Sequence, residues 1–256
     1  MPEKNLNVAL LQYTPAPADT IALAGRLCYS GSDIASLHDK SRGTADEFVD
    51  KLLNLGHLSP IEHASFTFGV EGVSRALLAQ ITRHRIASFS VQSQRYVKQT
   101  EMNYIIPKSI CDSGEKEVEE FKRQMETIHA FYNSWLDKGI PAEDARFVLP
   151  NAAETKMIIT MNARELLHFL ELRCCNRAQW EIRALAWVML GMARREAPSL
   201  FARVGGPACV SRGACPEGRM SCKRAKEVKE FSDRLTEMCK EASDEEILEF
   251  VKSNMR

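Results

Sequence analysis

The run RHRIASFSVQSQR, residues 83–95, sets four cationic or readily cationic side chains among five small hydroxyl or amide groups. Arg83 and Arg85 each offer a planar fork of donors that can grip a phosphate through two bonds, where a lysine gives only a point charge. Ser88, Ser90, Ser93 and Arg95 add donors suited to a phosphate and its adjoining sugar, and Phe89 and Tyr96 could flank a base. This is chemistry for recognising a polyanionic ligand. A solvated helix end would use some of the same residues, and so would a nucleic-acid module. The latter adds a basic face that holds many phosphates, whereas this chain balances 34 basic residues against 34 acidic ones. A mononucleotide fits better. Ser93 could serve as a nucleophile only beside a base, and Gln92, Gln94 and Arg95 supply none, so it reads as a ligand-binding hydroxyl. Between Lys156 and Lys223 every Lys or Arg is Arg, including Arg164, Arg173, Arg177 and Arg183, again the residue suited to bidentate anion binding.

The elements that must position these groups follow from periodicity and caps. Helix is expected over Ala18–Tyr29 and over Ala45–Leu55, the second opened by Thr44 with Glu47 as a capping box and closed by Gly56. Phe66, Phe68 and Val70 alternate as in a half-buried strand. Helix returns at Ser74, where SRALLAQITRHR turns Leu77, Leu78 and Ile81 inward and fans Arg83, His84 and Arg85 around its C-terminal end. Tyr104–Ile106 reads as a short strand, Glu115–Lys138 as a long amphipathic helix ended by Gly139, and AEDARFVL as a helix opened by Pro141. TKMIITM reads as another sheet strand. Asn162 then caps a helix carrying Arg164, His168 and Arg173, with Glu165 at the reciprocal capping position, and a further helix covers Arg177–Glu196. Beyond Arg203 a stretch rich in Gly, Pro and Cys leads into a charged helical tail from Lys223 to about Met255. These features place a boundary near residue 204, dividing residues 1–204 from 205–256. Strands mixed with long helices, without regular alternation, give an α+β fold.

A chain of 256 residues, 45% hydrophobic, can bury a sizeable core. Zero formal net charge gives no global field to hold it on nucleic acid or an anionic membrane. No apolar run approaches the roughly 20 residues that span a bilayer, and MPEKNLNVALLQYT lacks the features of a signal peptide, so a cytoplasmic protein is expected. Its eight cysteines are expected to be reduced thiols. Cys209, Cys215 and Cys222 do not form the short CxxC pairs of structural zinc sites, so no metal is expected, the other reading being a metal or redox clasp between the tail and the segment at Cys174 and Cys175.

The signature Arg83-His84-Arg85, seven residues, then Ser93 resembles that of the flavin-dependent thymidylate synthases. GHLSPIEH at 56–63, EDARFVLP at 143–150, NARELLHFLELR at 162–173 and AQWEIR at 178–183 are similar to further family segments, in the same order. The resemblance implies an antiparallel sheet core flanked by long helices, and a homotetramer with active sites at subunit interfaces. It implies that His57, Ser59, Arg83, His84, Arg85, Asn162, Arg164 and His168 bind FAD. It also implies that Gln80, Arg83, Ser93, Gln94, Arg95, Arg146 and Arg173 bind dUMP, with Arg95 and Arg146 at the phosphate. Arg173 would face the uracil edge as the catalytic group, stabilising negative charge on the ring. Val91 stands where the family usually has Glu or Gln, so its contact with cofactor would be through backbone, or Gln92 would substitute for it. The implied reaction is reductive methylation of dUMP with methylenetetrahydrofolate as carbon donor, FAD as hydride carrier and NADPH to recharge it. From another class, the alternative is a non-catalytic nucleotide- or RNA-binding module built on the same segment.

Overall fold

In the computed structural model, which describes residues 3–41 and 43–255, an antiparallel sheet of four strands is joined to helices in an α+β fold. The strands are β1 (Asn7–Tyr13), β2 (Ser65–Ser74), β3 (Ala87–Val91) and β4 (Glu154–Asn162), in the spatial order β1-β2-β4-β3. The helices are α1 (Pro17–Leu27), α2 (Ile34–Ser41), α3 (Ala45–Leu55), α4 (Arg75–Ile81), α5 (Lys108–Ser113), α6 (Glu115–Asp137) and α7 (Ala142–Ala145), then α8 (Ala163–Arg173), α9 (Trp180–Glu196), α10 (Pro198–Phe201), α11 (Ala208–Ser211), α12 (Ala225–Met238) and α13 (Asp244–Asn254). No helix among the described residues is long and apolar enough to cross a membrane.

The chain divides into two compact units. The first holds residues up to Asn7, Gly69–Arg83 and Phe89–Ile158. Its apolar cluster joins Met102, Tyr104, Ile106, Met125 and Ala153, covered by Ile110 of α5 and Val118, Phe121 and Ile128 of α6. Tyr104 makes isolated bridges to Glu3 and Ala153, so the strand expected over Tyr104–Ile106 reduces to one bridging residue. Gly72 is a position only glycine can fill. Its φ is +68°, and a Cβ there would stand 1.9 Å from the Asn5 carbonyl oxygen.

The second unit holds Val8–Phe68, His84–Ser88 and everything from Ile159 on. At its centre α9 is buried around almost its whole circumference, from Ile182 to Arg194, as expected of a helix that is apolar on nearly every side. It packs on α8, α10, α12 and α13. The buried Arg194 guanidinium donates to the carbonyls of Phe201, Gly205 and Ser232 and to the Ser232 hydroxyl, tying the chain after α10 and helix α12 to α9. The tail is two helices, α12 and α13, separated by a complete capping box at Ser243 and Glu246. Phe66 is fully buried in β2, worth about 1.5–3 kcal/mol, and meets the Phe201 ring edge-on at 5.3 Å.

Three local expectations are corrected. Thr44 does not cap α3 through its side chain; its hydroxyl accepts instead from Arg26 Nη2 at 2.8 Å. The segment AEDARFVL is α7 followed by a tight 3-10 turn over Arg146–Val148. Helix α4 stops at Ile81, and Arg83, His84 and Arg85 lie in the link to β3 rather than around the helix end. After that link Ala87–Val91 is committed to pairing in the sheet.

Candidate active site

In the second unit the N-cap of α8 starts the construction. The Asn162 Oδ1 accepts from the Glu165 amide at 2.9 Å, which satisfies one of the orphan donors of the first turn. The other half of the expected capping box is not made, because the Glu165 side chain turns inward to His84, with Oε1 2.9 Å from Nδ1. His84 is buried at 4% exposure, and Arg173 at the far end of α8 donates from Nε to His84 Nε2 at 3.1 Å. Burial holds the His84 pKa below the ordinary value; the Arg173 and His168 charges act in the same direction, and Glu165 opposes them. The His84 ring is thus engaged at both nitrogens within the chain, which leaves its backbone as the part able to meet a cofactor. Arg85 is exposed beside it.

Asn162, Arg164 and His168 line one cleft of about 690 Å³ together with Leu58, Ile61, Glu62 and Ile86. His57 and Ser59 do not line it, although their neighbours Gly56 and Leu58 do. His57 is exposed, 6.4 Å from the Tyr29 ring in a near-parallel stack, and borders a second cavity with Arg26, Phe48 and Lys51. Arg164 is paired with Glu62, both lining the larger cleft and both about half exposed. An exposed pair of this kind is worth about 0–1 kcal/mol, so an anionic ligand can draw the guanidinium away. Apolar walls with an amide, an imidazole and a releasable guanidinium suit a ligand that carries both an apolar ring and a phosphate. Arg173 also borders a smaller cavity of about 230 Å³ lined by Cys175, Cys209, Cys215 and Cys222. All eight cysteines are free thiols, and among the described residues no group of three or more His, Cys, Asp or Glu is arranged to hold a metal ion.

The first unit holds Gln80, Arg83, Val91, Ser93, Gln94, Arg95 and Arg146. Two of its guanidiniums are organised by one residue: Arg95 Nε donates to Glu143 Oε2 at 2.9 Å, and Arg146 Nε donates to the Glu143 carbonyl at 3.0 Å. Ser93 Oγ accepts from the Arg95 amide at 3.1 Å, bending the chain after β3. Gln80 bonds back along α4 to the Ala76 carbonyl, and Arg83 is exposed after the helix end. Gln94 is 9% exposed, and its amide nitrogen is buried without a hydrogen-bond partner among the described residues. Such a donor is open to a ligand or to water. Val91 is half-buried at the end of β3. Its neighbour Gln92 is pinned at both backbone groups, its N–H to the Lys156 carbonyl and its carbonyl to Arg75 Nη2, which opposes the shift needed for Gln92 to replace it.

Sequence reasoning gave no site role to Glu143 or Arg75 and read Glu165 only as a helix cap. Arg75 Nε is buried without a partner among the described residues, and burial, then the nearby Arg146 charge, lower its pKa from the ordinary value. A half-buried guanidinium with an unpaired Nε and a like charge nearby favours an anion close to it. A cation directly after the Ser74 cap was the available signal.

The chain is an α+β protein with guanidiniums and an unpaired buried amide suited to a phosphorylated ligand. Residues 9–199 match the family described as Thymidylate synthase complementing protein, and the chain belongs to that family. It is 53% identical to the flavin-dependent thymidylate synthase of Geobacter sulfurreducens over 88% of this chain and 97% of the relative. It is 46% identical to the flavin-dependent thymidylate synthase of Clostridium tetani over 88% of this chain and 96% of that one. Among solved structures it resembles a UMP/dUMP methylase PolB from Streptomyces cacaoi bound with 5-Br dUMP, with a TM-score of 0.67, 26% identity, and coverage of 77% of this chain and 93% of the other.

Proposed function

We propose that this chain is a flavin-dependent thymidylate synthase that converts dUMP to dTMP, using methylenetetrahydrofolate as carbon donor, FAD as hydride carrier and NADPH as the source of reducing equivalents. The observation that carries the reading is the arrangement at Glu143, where Arg95 and Arg146 are held together in the same unit as Ser93 and the orphaned Gln94 amide. Two organised guanidiniums can take a phosphate by charge-assisted bonds, and an unspent amide can take a sugar or base oxygen.

In this reading Arg95 and Arg146 hold the dUMP phosphate, with Gln80, Arg83, Ser93 and Gln94 on the rest of the nucleotide. Arg173 faces the uracil ring and stabilises the negative charge that builds on it when C5 becomes nucleophilic. His57, Ser59, Arg83, Arg85, Asn162, Arg164 and His168 hold FAD, with His84 and Val91 contributing backbone. FAD, when bound, supplies the hydride. Ser93 orients and does not attack: its Oγ accepts from the Arg95 amide, and among the described residues no base contacts it. The protein works in the cytoplasm as a homotetramer with active sites at subunit interfaces, on a small molecule rather than on nucleic acid or a membrane. Residues 1–204 form the catalytic domain and 205–256 an appended Cys/Gly-rich segment and helical tail; the change of composition after Arg203 supports that division.

The test is tritium release from C5-labelled dUMP by purified protein given FAD, NADPH and methylenetetrahydrofolate. Release dependent on all three is expected. A colourless protein that ignores FAD yet binds RNA with steep salt dependence would establish the non-catalytic alternative instead.

A further inference from the structure

Three side chains of the second unit lie in one hydrogen-bonded line. Arg173 Nε is 3.1 Å from His84 Nε2, and His84 Nδ1 is 2.9 Å from Glu165 Oε1. A guanidinium has donors only, so Nε2 must accept. That assigns the imidazole proton to Nδ1, which donates to the carboxylate. His84 and Glu165 are 4% and 7% exposed, and the edge of the Phe169 ring closes on the imidazole at 5.1 Å between centroids, with His168 at 5.8 Å. The His84–Glu165 pair is therefore shielded from water, and the imidazole is fixed in one tautomer.

Helix capping does not account for the Glu165 carboxylate. Asn162 caps α8 without it, and burying a charged group away from the surface has a desolvation cost that a surface position would avoid. What the carboxylate does is fix which nitrogen of His84 accepts. That choice fixes the Nε bond of Arg173, and a fixed Nε bond restricts the plane of the guanidinium.

We propose that Glu165, acting through His84, is a positioning residue for Arg173: the Glu165–His84–Arg173 line sets the direction in which the guanidinium is presented to the uracil ring. This rests on the reading of Arg173 as the group that faces uracil. It has a consequence in acid. A second proton on His84 would set Nε2–H against the Arg173 Nε–H, donor against donor, and break the line. The charged and titratable groups facing His84 are Glu165, Arg173 and His168, all on α8. Burial, Arg173 and His168 resist that proton and Glu165 attracts it, with burial the largest influence, so the line holds at neutral pH and fails as pH falls.

The test uses the full-length, FAD-loaded enzyme and four proteins: wild type, Glu165→Leu, Arg173→Lys and the double variant. Glu165→Leu is expected to lower kcat for tritium release roughly a hundredfold, the scale of a misplaced catalytic group, with flavin content and the KM for dUMP within about twofold of wild type. In the Arg173→Lys background the same change is expected to do nothing more, because the residue it positions has gone. An equal loss in both backgrounds overturns the positioning role and leaves the Arg173 reading intact. Full activity of Arg173→Lys overturns the Arg173 reading itself. If Glu165→Leu fails to fold, Glu165→Gln decides. It keeps the volume and an acceptor but removes the charge that draws a proton to His84, so the acid limb of the kcat profile is expected to move to lower pH. An unmoved limb refutes the proposal.

Discussion

The orphaned amide of Gln94 gives the sharpest prediction, because stability and binding should move in opposite directions. Gln94→Met keeps the length of the side chain and removes a donor that is buried without a partner among the described residues. An unsatisfied buried polar group costs about 1–3 kcal/mol, so the ligand-free variant should gain on the order of 1 kcal/mol after its imperfect repacking. For a chain of this size that is about 2–4 °C in Tm. If the amide exists to meet the nucleotide, its bond is lost in the complex. A loss of about 1–2 kcal/mol raises the KM for dUMP roughly fivefold to thirtyfold. Thermal melting with and without dUMP reads both effects. At a dUMP concentration of about 100 Kd the wild type should gain about 2.7 kcal/mol, and the variant should gain less at that same concentration. A variant that melts lower and still responds to dUMP like wild type refutes the reasoning, since the amide would then be structural.

Two further outcomes follow from the geometry. Gly72→Ala should destabilise by about 3 kcal/mol or more, from the positive φ and from a Cβ 1.9 Å from the Asn5 carbonyl oxygen, seen as a lower urea midpoint at an unchanged slope. His84 should make stability depend on pH. Its pKa is lowered in the folded protein, so the unfolded chain takes up the proton first, and the contribution present above about pH 6.5 is lost as pH falls through the folded-state value. Urea midpoints at pH 7.5 and 5.5 should drop further for wild type than for His84→Asn, and equal drops would refute the assignment.

How much of this was legible in the sequence depended on where each residue's partners lie. The central strands of the sheet, β2 and β4, were visible because Phe66, Phe68 and Val70, and Met157, Ile159 and Met161, alternate into a core. The edge strands were not. Only Val8 of β1 is buried, and the alternating serines of β3 look like a loop. An edge strand needs one neighbour and one covered face, so its pattern is weak. Gly56 and Asn162 were read correctly because caps are local, with φ +72° at the first and the Glu165 amide bonded to the second. Thr44 and Glu165 have the same local sequence logic and were read wrongly, each taken by a partner distant in sequence: Thr44 by Arg26, and Glu165 by His84.

That contrast also explains the site. The arginines were legible because charge type and number can be read one residue at a time. The acids that meet them, Glu143 at Arg95 and Glu165 at the His84 ring that Arg173 bonds, find these partners only once the chain has folded. The same holds for the RHR motif. Read as a helix end, it presents three equivalent cations to a ligand. In the fold the helix stops at Ile81, His84 is buried, and its sequence neighbours Arg83 and Arg85 are exposed. In the proposed reading one residue of the triplet is support and two meet ligands. Substituting His84 should therefore act through Arg173, whereas substituting Arg83 or Arg85 should act on ligand affinity.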